Sequence, residues 1–290
     1  MAAKLETLTS TRKSARQRSG RPATVEPPRL FYQDDAVVLY RGDSREMREL
    51  ADETTDFIVT SPPYWDIKNY RAEGQMGLGQ SYEEYWQELS KVLAECRRVL
   101  KPGRFLAIVI GTRISEGELK HIPSDLIQRM PELEFTLRKE IIWTKPKGTQ
   151  GLWQRGTTQF LKDRPFAGLA NINIQHEFIL IFSRSGEFQP LRQERLPEDF
   201  IKEVSWSVWP LAVSPTKGHP APFPNAIPER LIRLYTNKGE IVLDPFIGSG
   251  TTAVAAKRLE RRCVGYEISE EYCLLAKRRI ETETQHQLAI

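Results

Sequence analysis

Cysteine is scarce in this 290-residue chain: Cys96, Cys263 and Cys273 stand far apart, with no CxxC pair. An odd, dispersed set makes a poor disulfide framework and fits a reducing, cytoplasmic setting. Histidine is as sparse, at positions 121, 176, 219 and 286, without HxxxH spacing or a neighbouring cysteine, which argues against a zinc site. Long apolar runs are missing as well. The best, residues 105–110, falls far short of the roughly 18 residues that a bilayer span requires. Lys and Arg near the start have no apolar stretch behind them, so no secretory signal is read. Nor is there a general excess of one charge: 42 Lys and Arg face 38 Asp and Glu, a net of +4.

That small excess is localised. Residues 1–28 hold Lys4, Arg12, Lys13, Arg16, Arg18 and Arg21 against Glu6 and Glu26, and the remainder is formally neutral. The segment reads as a basic, poorly ordered tail with an electrostatic reach toward polyanions. Residues 29–290 read as a single domain, long for one but within the range of α/β architectures.

Within it, short apolar runs alternate with helical periodicity, the pattern of a mostly parallel sheet covered by helices. Strands are expected over 36–40, 56–60, 104–110, 139–144, 177–182, 240–244 and 262–266. Helices are expected over 82–100, 226–235, 251–260 and 269–280, with Lys101-Pro102-Gly103 turning the first into the next strand. Two segments interrupt the rhythm, 145–175 and 183–213, and loops this long in a compact domain are commonly functional. The first sets Lys145, Lys147, Arg155, Lys162 and Arg164 against Asp163 alone, interleaved with Trp153, Phe160 and Phe166. That mixture suits phosphates and bases. The second is polar, strand-poor and nearly balanced in charge.

Two loops carry the chemistry. The apolar run Glu240-Ile-Val-Leu-Asp244 leads through Pro245-Phe246-Ile247-Gly248-Ser249-Gly250-Thr251-Thr252 into a helix. Glycines let the backbone approach a ligand, and the free N–H groups of a helix start hold a carboxylate or phosphate. Glu267 ends the following strand, about 20 residues past the turn, where an acidic side chain can bind both hydroxyls of a ribose. Taken alone, Gly248-x-Gly250-x-x-Ala253 also satisfies the dinucleotide pattern, so a nicotinamide enzyme stays open at this point.

The second loop, Ser61-Pro62-Pro63-Tyr64-Trp65, follows the strand Asp56-Phe-Ile-Val-Thr60. It falls at the carboxyl end, where open α/β sheets place their ligands. Each proline fixes its own φ and holds its predecessor extended, so the Ser61 hydroxyl and the Pro62 carbonyl are preset beside an aromatic ring. Such a loop can accept hydrogen bonds from an amino group while Tyr64, with Trp65 as a second ring, stacks on the planar base that bears it.

Together these loops resemble the amino-methylating DNA methyltransferases, whose catalytic loop reads Asp/Asn/Ser-Pro-Pro-Tyr/Phe and whose cofactor loop reads Asp-Pro-Phe-x-Gly-Ser-Gly-Thr-Thr. The likeness runs over about residues 37–280 and takes in Tyr40-Arg41-Gly42-Asp43, Leu100-Lys-Pro-Gly103, Ile142-Trp143-Thr144-Lys145, His176-Glu177 and His219-Pro-Ala-Pro-Phe223-Pro224. With the catalytic loop first and the glycine loop last, the order is like that of the circularly permuted beta group. The resemblance implies a Rossmann-like α/β fold with a seven-stranded, mostly parallel sheet whose last strand is antiparallel. It implies S-adenosyl-L-methionine as cofactor and no metal. Asp43 would lie near the adenine, Asp244, Phe246, Gly248, Ser249, Gly250, Thr251 and Thr252 in the cradle, and His219, Phe223 and Pro224 over the methionine end. Ser61, Pro62, Pro63 and Tyr64 would form the catalytic loop.

The implied partner is double-stranded DNA, with the target base flipped out. Serine at position 61 resembles the N4-cytosine branch, with N6-adenine as the alternative and a non-catalytic DNA-binding protein as a reading from another class. Charge favours 145–175 for DNA recognition, whereas position in the family favours 183–213. A cognate restriction endonuclease and a homodimer are compatible with the family, and no residue decides either.

Overall fold

The computed structural model describes residues 27–67, 69, 72–115, 118–145, 174–187, 195–212 and 223–288. In chain order the strands and helices are β1 (Arg29–Gln33), β2 (Val37–Arg41), β3 (Thr55–Thr60), α1 (Tyr82–Val99), β4 (Leu100–Ile110), β5 (Arg113–Ser115), β6 (Glu118–Lys120) and α2 (Ile122–Arg129). They continue with β7 (Phe135–Thr144), β8 (His176–Arg184), α3 (Glu198–Val204), β9 (Val208–Pro210), α4 (Ala226–Tyr235), β10 (Ile241–Asp244), α5 (Thr251–Arg258), β11 (Arg262–Glu267) and α6 (Glu270–Leu288).

One sheet runs β1-β2-β11-β10-β3-β4-β8-β7-β9, and β5 and β6 form a separate hairpin. Strands β2, β11, β10, β3 and β4 are mutually parallel. Strand β8 is antiparallel to both β4 and β7. All seven expected strands are present in this central array, with β8 as its antiparallel member. The sheet itself has nine strands, because β1 pairs antiparallel with β2 and the three-residue β9 pairs parallel with β7. Both lie at edges, where a strand has one partner and needs no long apolar run, so apolar patterning does not reveal them. The segment 183–213 therefore contributes the end of β8, helix α3 and strand β9 to the fold. Lys101-Pro102-Gly103 is likewise no separate turn: β4 already begins at Leu100, paired with Thr55, and takes Gly103 at φ 73° with an irregular register.

Alternation along the strands separates two cores. Phe57, Val59, Ala107 and Val109 face α4, α5 and α6, while Ile58, Leu106 and Ile108 face α1 and α2. The central strand β3 is buried at every residue, as expected of a strand covered on both faces. Helix α1 starts at a reciprocal capping box between Ser81 and Glu84 and lays Tyr85, Trp86, Leu89, Val92, Leu93 and Cys96 on the second core. Burial of each such large side chain is worth about 1.5–3 kcal/mol. Helix α5 buries all of residues 251–257, where small alanines let it approach the sheet closely. The three cysteines are buried thiols. No described helix is long and apolar enough to cross a membrane.

The consequence for function is directional. The carboxyl ends of β2, β11, β10, β3 and β4 open on one side, and β8, running the opposite way, brings its first residues to that same side.

Candidate active site

Strand β10 ends at Asp244, and its buried carboxylate joins the two loops singled out in the sequence. Thr60 Oγ1 donates to Asp244 Oδ1 at 2.7 Å, from the residue immediately before Ser61. Thr252 Oγ1 donates to Oδ2 at 2.6 Å, and the Phe246 N–H donates to Oδ1 at 3.0 Å. Burial pushes Asp244 up to about 6, and the three donors oppose that rise. Asp244 thus tethers the end of β3 to the glycine turn.

The glycine turn is shaped by left-handed backbone at Gly248 (φ 51°) and Gly250 (φ 80°), conformations that favour glycine. A Cβ at Gly250 would also come within 3.0 Å of the Ala276 side chain. Arg279 of α6 grips the turn from outside, donating through Nη1 to the Ser249 carbonyl (2.7 Å), Ser249 Oγ (2.9 Å) and Thr251 Oγ1 (3.0 Å). Its Nη2 reaches Asn225 Oδ1 at 3.3 Å, which ties in the start of α4 beside Phe223 and Pro224. Arg279 had no sequence signal: it is one of many basic residues on a charged helix, about 30 positions from the loop it holds.

Glu267 ends β11 beside the turn. Burial pushes its carboxyl up to about 7, opposed by N–H donation from Ser269, Gly248 and Ile268, with the Asp244 charge adding to the rise. The groups that answer this carboxylate include the backbone amides of Ser269, Gly248 and Ile268. A pair of ribose hydroxyls is the kind of neutral donor such a group can accept. The cradle therefore fits an adenosyl cofactor on its own chemistry: glycine turn, helix start and an acidic side chain answered by neutral amides. Asp43 lies next to this end, since the Gly42 N–H donates to the Glu267 carbonyl at 2.9 Å. The Asp43 carboxylate is engaged by Arg45, through its backbone N–H at 2.9 Å and Nε at 2.8 Å.

On the other side of Asp244, Pro62 is buried and the Pro63 carbonyl accepts from Tyr85 Oη at 2.8 Å, which fixes the loop to α1. Tyr64 Oη donates to Glu177 Oε2 at 2.7 Å, and Ser61 Oγ lies 3.3 Å from Tyr64 Oη. Lys145, at the end of β7, pairs with the other oxygen of Glu177. Gly111 seats the Tyr64 ring: a Cβ there would stand 3.1 Å from Tyr64 Cε2. Trp65 points elsewhere. With φ 54° it donates from Nε1 to the Gln80 carbonyl at 2.9 Å and packs on Tyr82, ring centroids 5.1 Å apart. These contacts hold Trp65 to the segment before α1, whereas Tyr64 reaches the first residues of β8.

Among the proposed DNA-binding residues, Lys145 is described and is bound to Glu177, whereas Lys147, Trp153, Arg155, Lys162 and Arg164 lie outside the described residues, as does His219. Among the described residues, no group of three or more His, Cys, Asp or Glu is placed to hold a metal ion.

Comparison with known proteins agrees with this geometry. The family model for DNA methylases of the N6/N4 type matches residues 55–278. The chain is 31% identical over 276 residues to the Type II methyltransferase M.SmaI of Serratia marcescens, covering 82% of this chain and 89% of that protein. It is 32% identical over 268 residues to M.MjaI of Methanocaldococcus jannaschii, covering 79% and 86%. Among solved structures, a DNA modification methylase of Thermus thermophilus, complexed with S-adenosyl-L-methionine, superposes with TM-score 0.67 at 30% identity, covering 84% of this chain and 93% of that one. The cytosine-N4-specific PvuII DNA methyltransferase shares the fold, with TM-score 0.65 at 22% identity, covering 87% and 91%. From its two loops, its strand order and these similarities, the chain belongs to the N6/N4 family of DNA methylases.

Proposed function

We propose that this protein transfers a methyl group from S-adenosyl-L-methionine to the exocyclic N4 of a cytosine flipped out of double-stranded DNA. The observation that carries the reading is the 2.7 Å bond from Thr60 to Asp244, which joins the amine-binding loop to the cofactor turn at neighbouring strand ends. Bound in the cradle, the cofactor supplies an activated methyl group. Glu267 would accept from its ribose, Asp43 would lie on the adenine side, and the turn from Phe246 to Thr252 would hold the remainder. Phe223 and Pro224, held near the turn through Asn225 and Arg279, would border the methionine end, a role the family resemblance extends to His219.

The target amine is a weak nucleophile because its lone pair is delocalised into the ring. Ser61 Oγ and the Pro62 carbonyl accept its two N–H bonds and turn the lone pair toward the methyl group, an effect of orientation and preorganised dipoles. Tyr64 stacks on the flipped base. Serine in place of an acidic or amide residue supports cytosine over adenine, because Ser-Pro-Pro-Tyr resembles the N4 branch. The Type II designation of the relatives supports methylation at a defined DNA site. Recognition of that site is assigned to 145–175, with 183–213 as the second candidate.

The test is incubation with labelled S-adenosylmethionine and mixed-sequence duplex DNA, followed by digestion to nucleosides and chromatography. N4-methylcytosine is expected. N6-methyladenine would overturn the base assignment and keep the loop roles, and absence of label on DNA would overturn the activity.

A further inference from the structure

Glu177 and Lys145 occupy the active-site end of the sheet, yet neither the glycine turn nor the Ser-Pro-Pro-Tyr loop accounts for them. Both side chains are largely buried, with 14% and 10% of their surface accessible. Their pairing is directed at the catalytic loop, because Glu177 spends one oxygen on Lys145 and the other on Tyr64 Oη at 2.7 Å.

This arrangement fixes a direction. A phenol has one proton, and a carboxylate paired with an ammonium can only accept. The Tyr64 proton therefore lies on Glu177, in preference to the Val109 carbonyl at 3.4 Å. At the 3.3 Å contact between the two hydroxyls, Tyr64 Oη must then accept and Ser61 Oγ must donate. With its one proton turned toward Tyr64, Ser61 presents lone pairs to the loop's open side. An amino group can be oriented by that oxygen only if it presents lone pairs.

We infer that Glu177, held by Lys145, is a positioning residue that polarises the chain Ser61–Tyr64–Glu177, so that Ser61 faces the target amine as an acceptor and the proton shed in the reaction leaves along the chain. The inference rests on the methyl-transfer reading above. As the nitrogen–carbon bond forms, the carbon–sulfur bond breaks and the sulfur keeps its electron pair. The methylated nitrogen then loses one proton to Ser61 Oγ, Ser61 passes its own to Tyr64 Oη, and Tyr64 passes its own to the Glu177 carboxylate. Each hydroxyl ends with one proton, and no outside reactant is needed. Hydrogen bonds of this kind are commonly long without substrate and shorten in the reacting complex.

The test compares Tyr64→Phe and Glu177→Gln with the unmodified protein. Calorimetry with S-adenosylmethionine and fluorescence anisotropy with duplex DNA should give unchanged dissociation constants for both variants. Tyr64→Phe keeps the ring and the ion pair, and its kcat should fall about 10–100-fold with KM for DNA within about twofold. Glu177→Gln should lower kcat similarly, again with KM for DNA within about twofold. The double variant should be no slower than the slower single one, as for groups acting as a unit. If Glu177→Gln fails to fold, Tyr64→Phe carries the test. Variants with kcat within twofold of an active parent would overturn this inference and leave the methyltransferase reading intact. A parent that transfers no methyl group would overturn both.

Discussion

The two ends of the same sheet bury carboxylates in opposite ways. At the amino end of β3, Asp56 meets cations: Lys101 Nζ at 2.6 Å and Arg104 Nη2 at 3.2 Å, with Arg104 reaching on to Glu240 at 2.5 Å. Asp56 Oδ2 also accepts from the Ile241 N–H at 2.9 Å, so one ionic cluster staples β3, β4 and the start of β10. At the carboxyl end, Asp244 and Glu267 meet hydroxyls and amides, and burial pushes them up to about 6 and about 7. Charge compensated from within makes a staple. Charge answered by neutral hydroxyls and amides, beside a turn shaped by glycine, leaves a seat for a ligand that brings its own donors.

Breaking the amino-end staple should have the largest effect on stability. Arg104→Ala leaves Asp56 and Glu240 without their shared cation and should cost about 3–5 kcal/mol in chemical denaturation, while the folded fraction keeps its specific activity. Tyr64→Ala should do the reverse at the carboxyl end. It should cost less stability than Arg104→Ala and leave cofactor affinity unchanged, while kcat falls roughly 10²–10³-fold, since the base loses its stacking ring and Ser61 its acceptor. Equal loss of stability in the two variants would dissolve the distinction between staple and seat.

Glu267→Ala sharpens the contrast within the seat. Two charge-assisted bonds to the ribose should be lost, weakening S-adenosylmethionine binding about 10–100-fold in calorimetry. Because the folded carboxyl titrates above its unfolded value, the ligand-free protein loses stability as pH rises from about 4.5 toward 7, and Glu267→Gln should flatten that slope in melting curves. The smallest effect is expected of Gly111→Ala. Its Cβ would press on Tyr64 at 3.1 Å, and kcat should drop about tenfold with cofactor binding unchanged.

What the sequence reveals of this site is what is local along the chain. Both loops announce themselves because each is a strand end followed by residues with restricted or unusual backbone freedom, Pro62-Pro63 in one and Gly248-x-Gly250 in the other. Seven strands are legible for the same reason: each carries a short apolar run bounded by breakers. The edge strands β1 and β9 are not, since one exposed face and one partner leave no pattern. Arg279, Glu177 and the tethering role of Asp244 arise only when distant segments meet. Thr60 and Asp244 are 184 residues apart, and Tyr64 and Glu177 are 113 apart. The bond from the Trp65 indole N–H to the Gln80 carbonyl is another contact that local sequence does not announce.

The most direct measurement is calorimetric titration of the protein with S-adenosylmethionine at pH 6 and pH 8, in buffers of different ionisation enthalpy, beside Glu267→Gln. Stoichiometric binding is predicted, tighter at pH 8, with proton release at pH 6 that the variant lacks, because ribose hydroxyls select the ionised carboxylate. Absence of binding, or the same pH dependence and proton release in the variant, would contradict the assignment of this sheet end as the cofactor's seat.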